Sequence, residues 1–142
     1  MKLSAHFDLA EFTISQTASR LNLDNTPDAD TIARLKITAE AMEEVRALLG
    51  KPISISSGYR SPAVNKAVGS SSTSAHVKGW AVDFICSQFG TPLAICRVLA
   101  KSKIDFDQLI EEGSWIHISF DPRMRREVLT MRDGQYSKGL AA

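Results

Sequence analysis

The sequence predicts an α+β fold, a single compact domain with helices packed on a small, mainly antiparallel sheet. Three observations predict it. A chain of 142 residues, 44% hydrophobic and 23% charged, has material for one sizeable core and too little for two. Its first third spaces apolar residues as helices do, while the remainder holds short runs that alternate apolar and polar side chains. Between those runs lie stretches of glycine, serine and proline, with no repeat, linker or low-complexity segment, so residues 1–142 are taken as one domain.

The elements follow in order. "SQTASRLNL" opens on Ser15 as a helix cap and turns Ala18, Leu21 and Leu23 toward the core. In "DNTPDADTIARLKITAEAMEEVRALLGKP", Thr26 is expected to cap and Pro27 to enter the first turn. Ile32, Leu35, Ala39, Met42, Val45 and Leu49 form the apolar stripe, and Gly50 and Pro52 stop the helix. "PISISS" sets Ile53 and Ile55 against serines as a short strand. The following "GYRSPAVNKAVGSSSTSAH" is loop, with room for one helical turn between Pro62 and Ala67. "GWAVDFI" alternates Trp80, Val82 and Phe84 with Ala81, Asp83 and Ile85, so Asp83 faces away from the bulky set and Trp80 toward the core. A helix from Thr91 and Pro92 to about Ala100 precedes two strands, "FDQLIEE" and "WIHISF", around Gly113 and Ser114. The tail "REVLTMRDGQYS" predicts one more strand and a turn at Asp133-Gly134.

Charge and targeting signals narrow the function classes. Basic residues outnumber acidic ones by 17 to 16, which gives no field for nucleic acid and no acidic excess for disorder. No segment reaches the roughly 20 apolar residues of a membrane span, and charges interrupt the N-terminus before a signal-peptide core forms. The expectation is cytoplasmic synthesis. Cys86 and Cys96 sit among apolar residues, as buried free thiols of a reducing compartment do.

Chemistry concentrates in two short stretches. In "SSTSAHVKGWAVDF", His76 precedes Asp83 by seven positions; in "WIHISF", His117 shares the polar face with Trp115 and Ser119. Two imidazoles and a carboxylate on a loop and two strand faces form the ligand set of an open zinc site. Zinc suits nitrogen ligands, whereas magnesium or calcium would want more oxygens. Gly79 allows close backbone approach, Ser74 is placed to orient a ligand, and an arginine-bearing loop adjoins.

Three motifs in order, over residues 53 to 120, carry a resemblance. "SAHVKGWAVD" resembles the Ser-x-His-x-x-Gly-x-Ala-x-Asp pattern of the zinc D-alanyl-D-alanine carboxypeptidase family. "SSGYRSPAVNKAVG" is similar to its Ser-Gly-Tyr-Arg-Ser-x-x-x-Asn segment, and "FDQLIEEGSWIHISF" to its final Trp-x-His strand. The opening "HFDLAEFTISQTASRLNLDNTP" resembles the small phage-type members, among them endolysins that cut peptidoglycan peptides. The resemblance implies a fold related to the VanX and VanY peptidases and the Hedgehog signalling domain. It also implies one zinc ion on His76, Asp83 and His117.

A zinc peptidase needs a carboxylate to carry the proton from water to the leaving amine. VanX-like members place one three residues before the last histidine, where this chain has Ser114. Glu111 and Glu112 are the candidates. If Gly113 and Ser114 form a two-residue hairpin, Glu112 opposes Trp115 and points to the metal side while Glu111 points away. The phage-type members likewise carry an acidic residue five after the aspartate of Asp-Gln-Leu-Ile, here Glu112. The resemblance makes Arg60 the binder of a substrate carboxylate, a role its two-pronged guanidinium suits. Trp115 is expected to shape the pocket. Tyr59 and Asn65 are read as fixing the loop, and His6 as structural.

The resemblance implies a zinc metallopeptidase acting on peptidoglycan stem peptides, and a monomer is the expectation for so small a hydrolase. It would be a D-Ala-D-Ala carboxypeptidase or an L-Ala-D-Glu endopeptidase, an endolysin-like enzyme that reaches the wall through the membrane or with a virion. Two other classes compete: a non-catalytic zinc domain that binds wall peptide or a protein partner, and a metal-free structural or virion protein.

Overall fold

A computed structural model of the protein describes residues 1–140. The chain opens with two short helices, α1 (Leu9–Thr13) and α2 (Gln16–Leu21). Ser15 caps α2 by accepting the Ala18 N–H at 3.1 Å, as its residue type leads one to expect. Leu21 departs from expectation: it is 49% exposed, because α2 ends there on a left-handed Asn22 and only Ala18 turns inward. The long helix α3 (Ala29–Leu49) carries Leu35, Ala39, Met42, Val45 and Leu49 on its buried face. Its cap is Asp28 and not Thr26. The Asp28 carboxylate accepts from Thr31 N–H at 2.8 Å and places negative charge at the helix N-terminus, while Thr26 N–H is held in a turn by Asp24.

Among the described residues, six strands make one mixed sheet in the order β1-β2-β4-β3-β5-β6. They are β1 (Ser54–Ser57), β2 (Ala81–Ile85), β3 (Gln108–Glu111), β4 (Ile116–Ser119), β5 (Glu127–Arg132) and β6 (Gln135–Lys138). Every neighbouring pair is antiparallel except β3 and β5. The tail therefore forms two strands where the sequence predicted one. Asp133 and Gly134 both adopt positive φ, 51° and 75°, which closes a tight turn and lets Gln135–Lys138 fold back on β5.

Three further helices lie in the connections: α4 (Pro62–Ala67), α5 (Ala75–Lys78) and α6 (Pro92–Lys101). Ser61 and Thr91 cap α4 and α6, each with proline in the first turn. The α5 turn falls in a stretch the sequence marked as loop. One face of the sheet presents Val82, Phe84, Leu109, Ile116 and Ile118, all wholly buried in one core with α3 and with Ile95 and Leu99 of α6. Trp80, expected in that core, is only half-buried, since it lies just before β2 begins. Cys86 and Cys96 are buried and free, and burial with the nearby Glu111 charge pushes the Cys96 thiol up to about 12.

Candidate metal centre

The opposite face of the same strands holds the polar cluster. Asp83 on β2 and His117 on β4 are direct cross-strand partners, so one hydrogen-bonding register brings two of the three candidate ligands together. The row continues through Ile110 on β3 and Leu129 on β5.

His76 arrives from α5, a helix and not the expected loop. Ser74 caps this turn by accepting the His76 N–H at 3.3 Å, so it orients the histidine through the backbone. Gly79 ends the turn at φ +83°; a Cβ there would stand 3.3 Å from Leu35 Cγ and Thr31 O. Glycine thus lets α5 seat on α3. The seat is fixed by Thr38, whose hydroxyl donates to Gly79 O at 2.7 Å, and by Arg34, which donates to Lys78 O.

The His76 ring is held as firmly. Its Nδ1 lies 2.7 Å from Gly58 O. A carbonyl only accepts, so Nδ1 carries the proton and Nε2 is left facing the cluster. Gly58 has no room for a side chain, since a Cβ would meet Phe12 O at 2.6 Å where α1 crosses β1. The N-terminal helix therefore fixes the carbonyl that fixes the histidine.

His76 Nε2 and His117 Nδ1 stand 3.3 and 3.1 Å from the same oxygen, Asp83 Oδ1. The three ligand atoms lie within 4.8 Å of one another. Burial lowers the His76 pKa and keeps the imidazole neutral. Burial works to raise the Asp83 carboxyl, but the adjoining imidazoles, when protonated at the acid pH where a carboxyl titrates, outweigh it with charge and hydrogen bonds and hold it well below the usual carboxylate range. The donor set thus points the Nε2 lone pair at an ionised carboxylate across 3.3 Å, a repulsive contact that a shared cation relieves. Two nitrogens and one carboxylate fit zinc with a position left open for water or substrate.

The cluster lies in a cleft of about 1020 Å³ whose lining includes Arg60, Ser74, Glu112 and Trp115. Arg60 places one guanidinium nitrogen 3.5 Å from Asp83 Oδ2. Glu112 donates its N–H to Trp115 O at 3.1 Å across a hairpin tip formed by Gly113 and Ser114. The carboxylate is held by Trp115 Nε1–H, which donates to Oε2 at 3.1 Å. Partial burial and the Asp83 charge raise the Glu112 pKa. Glu111 points to the other face, is 2% exposed and takes hydrogen bonds from Arg132 and Gly113 N–H. Outside the cluster, Tyr59 is buried, Asn65 donates to Ser71 O at 2.7 Å, and His6 Nδ1 lies 2.6 Å from Glu43.

Sequence reasoning missed the Gly58 carbonyl, the Thr38 and Arg34 braces, and Met131 and Tyr136, which also line the cleft. A glycine's carbonyl leaves no trace in residue type, and Tyr136 needed the β3–β5 pairing to be placed.

A sequence model of the family described as Peptidase M15 matches residues 5–119. No curated protein matches the chain.

Proposed function

Because the chain belongs to the peptidase M15 family, and is thereby a zinc metallopeptidase of the kind that acts on peptidoglycan peptides, we propose that His76, Asp83 and His117 hold the zinc and that Glu112 is its general base. The substrate is a peptidoglycan stem peptide, cut as a D-Ala-D-Ala carboxypeptidase or an L-Ala-D-Glu endopeptidase does, in the service of an endolysin-like lysis enzyme of phage or prophage. The single observation that carries this reading is the cluster of three ligand atoms within 4.8 Å beside a half-buried glutamate in an open cleft.

When bound, zinc supplies a Lewis acid for the scissile carbonyl and a water acidic near pH ~7. Trp115 holds Glu112 Oε2, which leaves Oε1 as the atom that would carry a proton from the attacking water to the leaving amine. The raised pKa of Glu112 suits a group that must accept and then release a proton. Among the described residues the Arg60 guanidinium has one long contact, to Asp83, which leaves N–H groups to grip a substrate carboxylate.

The test is release of new amino groups from purified peptidoglycan by zinc-loaded protein, beside His117→Ala and a chelated control, with products identified by mass. Cleavage lost in both controls is expected, and the product masses name the bond. Stoichiometric zinc with no release across several wall chemotypes would overturn the peptidase reading.

A further inference from the structure

The family match ends at residue 119, before the β5–β6 hairpin begins at Glu127. That hairpin nonetheless joins the reactive face. Cross-strand pairs fix which side chains share a face. Leu109 pairs with Val128 and Glu111 with Thr130 on one face, and Ile110 with Leu129 on the other. Continued one step past the last pair, the same register sets Glu112 level with Met131, and Met131 pairs with Tyr136. Trp115, Glu112, Met131 and Tyr136 therefore form one row across four strands, on the side that carries Asp83 and His117, and all four line the cleft.

Tyr136 is unusual for this row. The residue is 61% exposed and leaves a large aromatic side chain open beside the cleft. Next to the cleft lies a second depression of about 460 Å³, lined by Tyr136, Ile110 and Leu129 and bordered by Lys138. Tyr136 thus lines both hollows. Partial burial and the facing Glu112 and Asp83 carboxylates push its phenol up, so at neutral pH it keeps its proton and can donate. An aromatic face with a hydroxyl tip meets both the aliphatic and amide surfaces of a peptide.

Resting on the peptidase reading, we infer that the β5–β6 hairpin adds a substrate subsite to the cleft, with Tyr136 as the specificity-determining residue that grips the stem peptide away from the bond being cut. The geometry sets a length requirement. Two strand spacings separate the Glu112 and Tyr136 backbones, about 10 Å, and an extended peptide advances ~3.4 Å per residue. A substrate must extend about three residues beyond Glu112 to reach the ring. A dipeptide spanning the scissile bond falls short of it.

Synthetic stem peptides of two to five residues, tested on zinc-loaded wild type, Tyr136→Ala and Tyr136→Phe, decide the matter. For Tyr136→Ala the expected result is on the order of a tenfold loss of kcat/KM on the longest stem, borne by KM, with kcat and dipeptide hydrolysis within about twofold of wild type. Tyr136→Phe should recover most of that loss, because the ring face survives. A Tyr136→Ala effect equal on all lengths, or absent on all, overturns the subsite. Calorimetric titration with the pentapeptide separates this from failure of the peptidase reading. If the wild type cleaves nothing yet binds, weaker binding by Tyr136→Ala upholds the subsite, and equal binding, or none by the wild type, overturns it.

Discussion

The two faces of the β2–β4 pair use one backbone register for opposite ends. Val82, Phe84, Ile116 and Ile118 point to the helices and are wholly buried, and their worth is the area removed from water. Asp83 and His117 alternate with them, pair across the strands, and turn to the cleft. The polar face is nearly as buried, with Asp83 7% and His117 9% exposed, but it contributes placement of charge where the other contributes cohesion. A sheet of period two thus anchors its reactive groups on the same residues that hold the fold together.

The largest effect should come from splitting these roles at adjacent residues. Asp83→Asn keeps shape and removes charge. Elemental analysis should find stoichiometric zinc lost along with turnover, and the metal-free protein should melt no lower than wild type. Ile118→Ala, one residue from His117 and pointing the other way, should cost about 2–5 kcal/mol in denaturant unfolding. Its folded fraction should keep one zinc; loss of metal there would show that the faces are energetically one unit.

Glu111 and Glu112 sharpen the contrast between neighbours. Glu112→Gln should lower turnover by ~10²–10⁴-fold, the usual range for a lost general base, with zinc retained and stability within ~0.5 kcal/mol. Glu111→Gln removes the buried anion that the half-exposed Arg132 guanidinium and Gly113 N–H hold, and about 1 kcal/mol of stability should go, with turnover of the folded enzyme unchanged. Reversed phenotypes would exchange the two assignments.

Gly58→Ala tests how far the site depends on the first helix. Its Cβ cannot coexist with Phe12 O, so α1 and the Gly58 backbone must separate, which shifts the Gly58 carbonyl relative to His76 Nδ1. Losing such an outer hydrogen bond typically costs ~10–100-fold in metal affinity, measurable by competition with a chromophoric chelator. Unchanged affinity would mean that Asp83 and His117 suffice to fix the metal.

Much of this was legible in the residues because it depends on local rules. Period two in "GWAVDFI" and "WIHISF" put Asp83 and His117 opposite the apolar side chains, and the short Gly113-Ser114 tip gave the pairing of Glu112 with Trp115. What escaped depended on contacts between distant segments. The choice of Asp28 over Thr26 as cap turns on which oxygen reaches Thr31 N–H. The α5 turn exists because Thr38 and Arg34 of α3 brace it, and nothing within "SSTSAH" announces them. The second tail strand needed a neighbour, β5, whose own place beside β3 comes from a parallel crossover that local alternation cannot signal.

The smallest effect tests the seam between the faces. Asp107, 1% exposed at the start of β3, accepts from Arg125 Nε and an Arg125 terminal nitrogen, both at 2.9 Å, and ties β3 to the approach of β5. Those hydrogen bonds hold the Asp107 carboxyl below its ordinary value. A carboxyl whose folded pKa is depressed lends stability that is fully present above the unfolded value, about 3.9, and is lost as pH falls through the folded one. Stability should therefore decline below about pH 4 more steeply in wild type than in Asp107→Asn, with a difference of ~1 kcal/mol at neutral pH because Arg125 is itself part exposed. Parallel stability curves for the two proteins would mean that water screens this pair. The hairpin would then be held to the reactive face by its strand pairing alone.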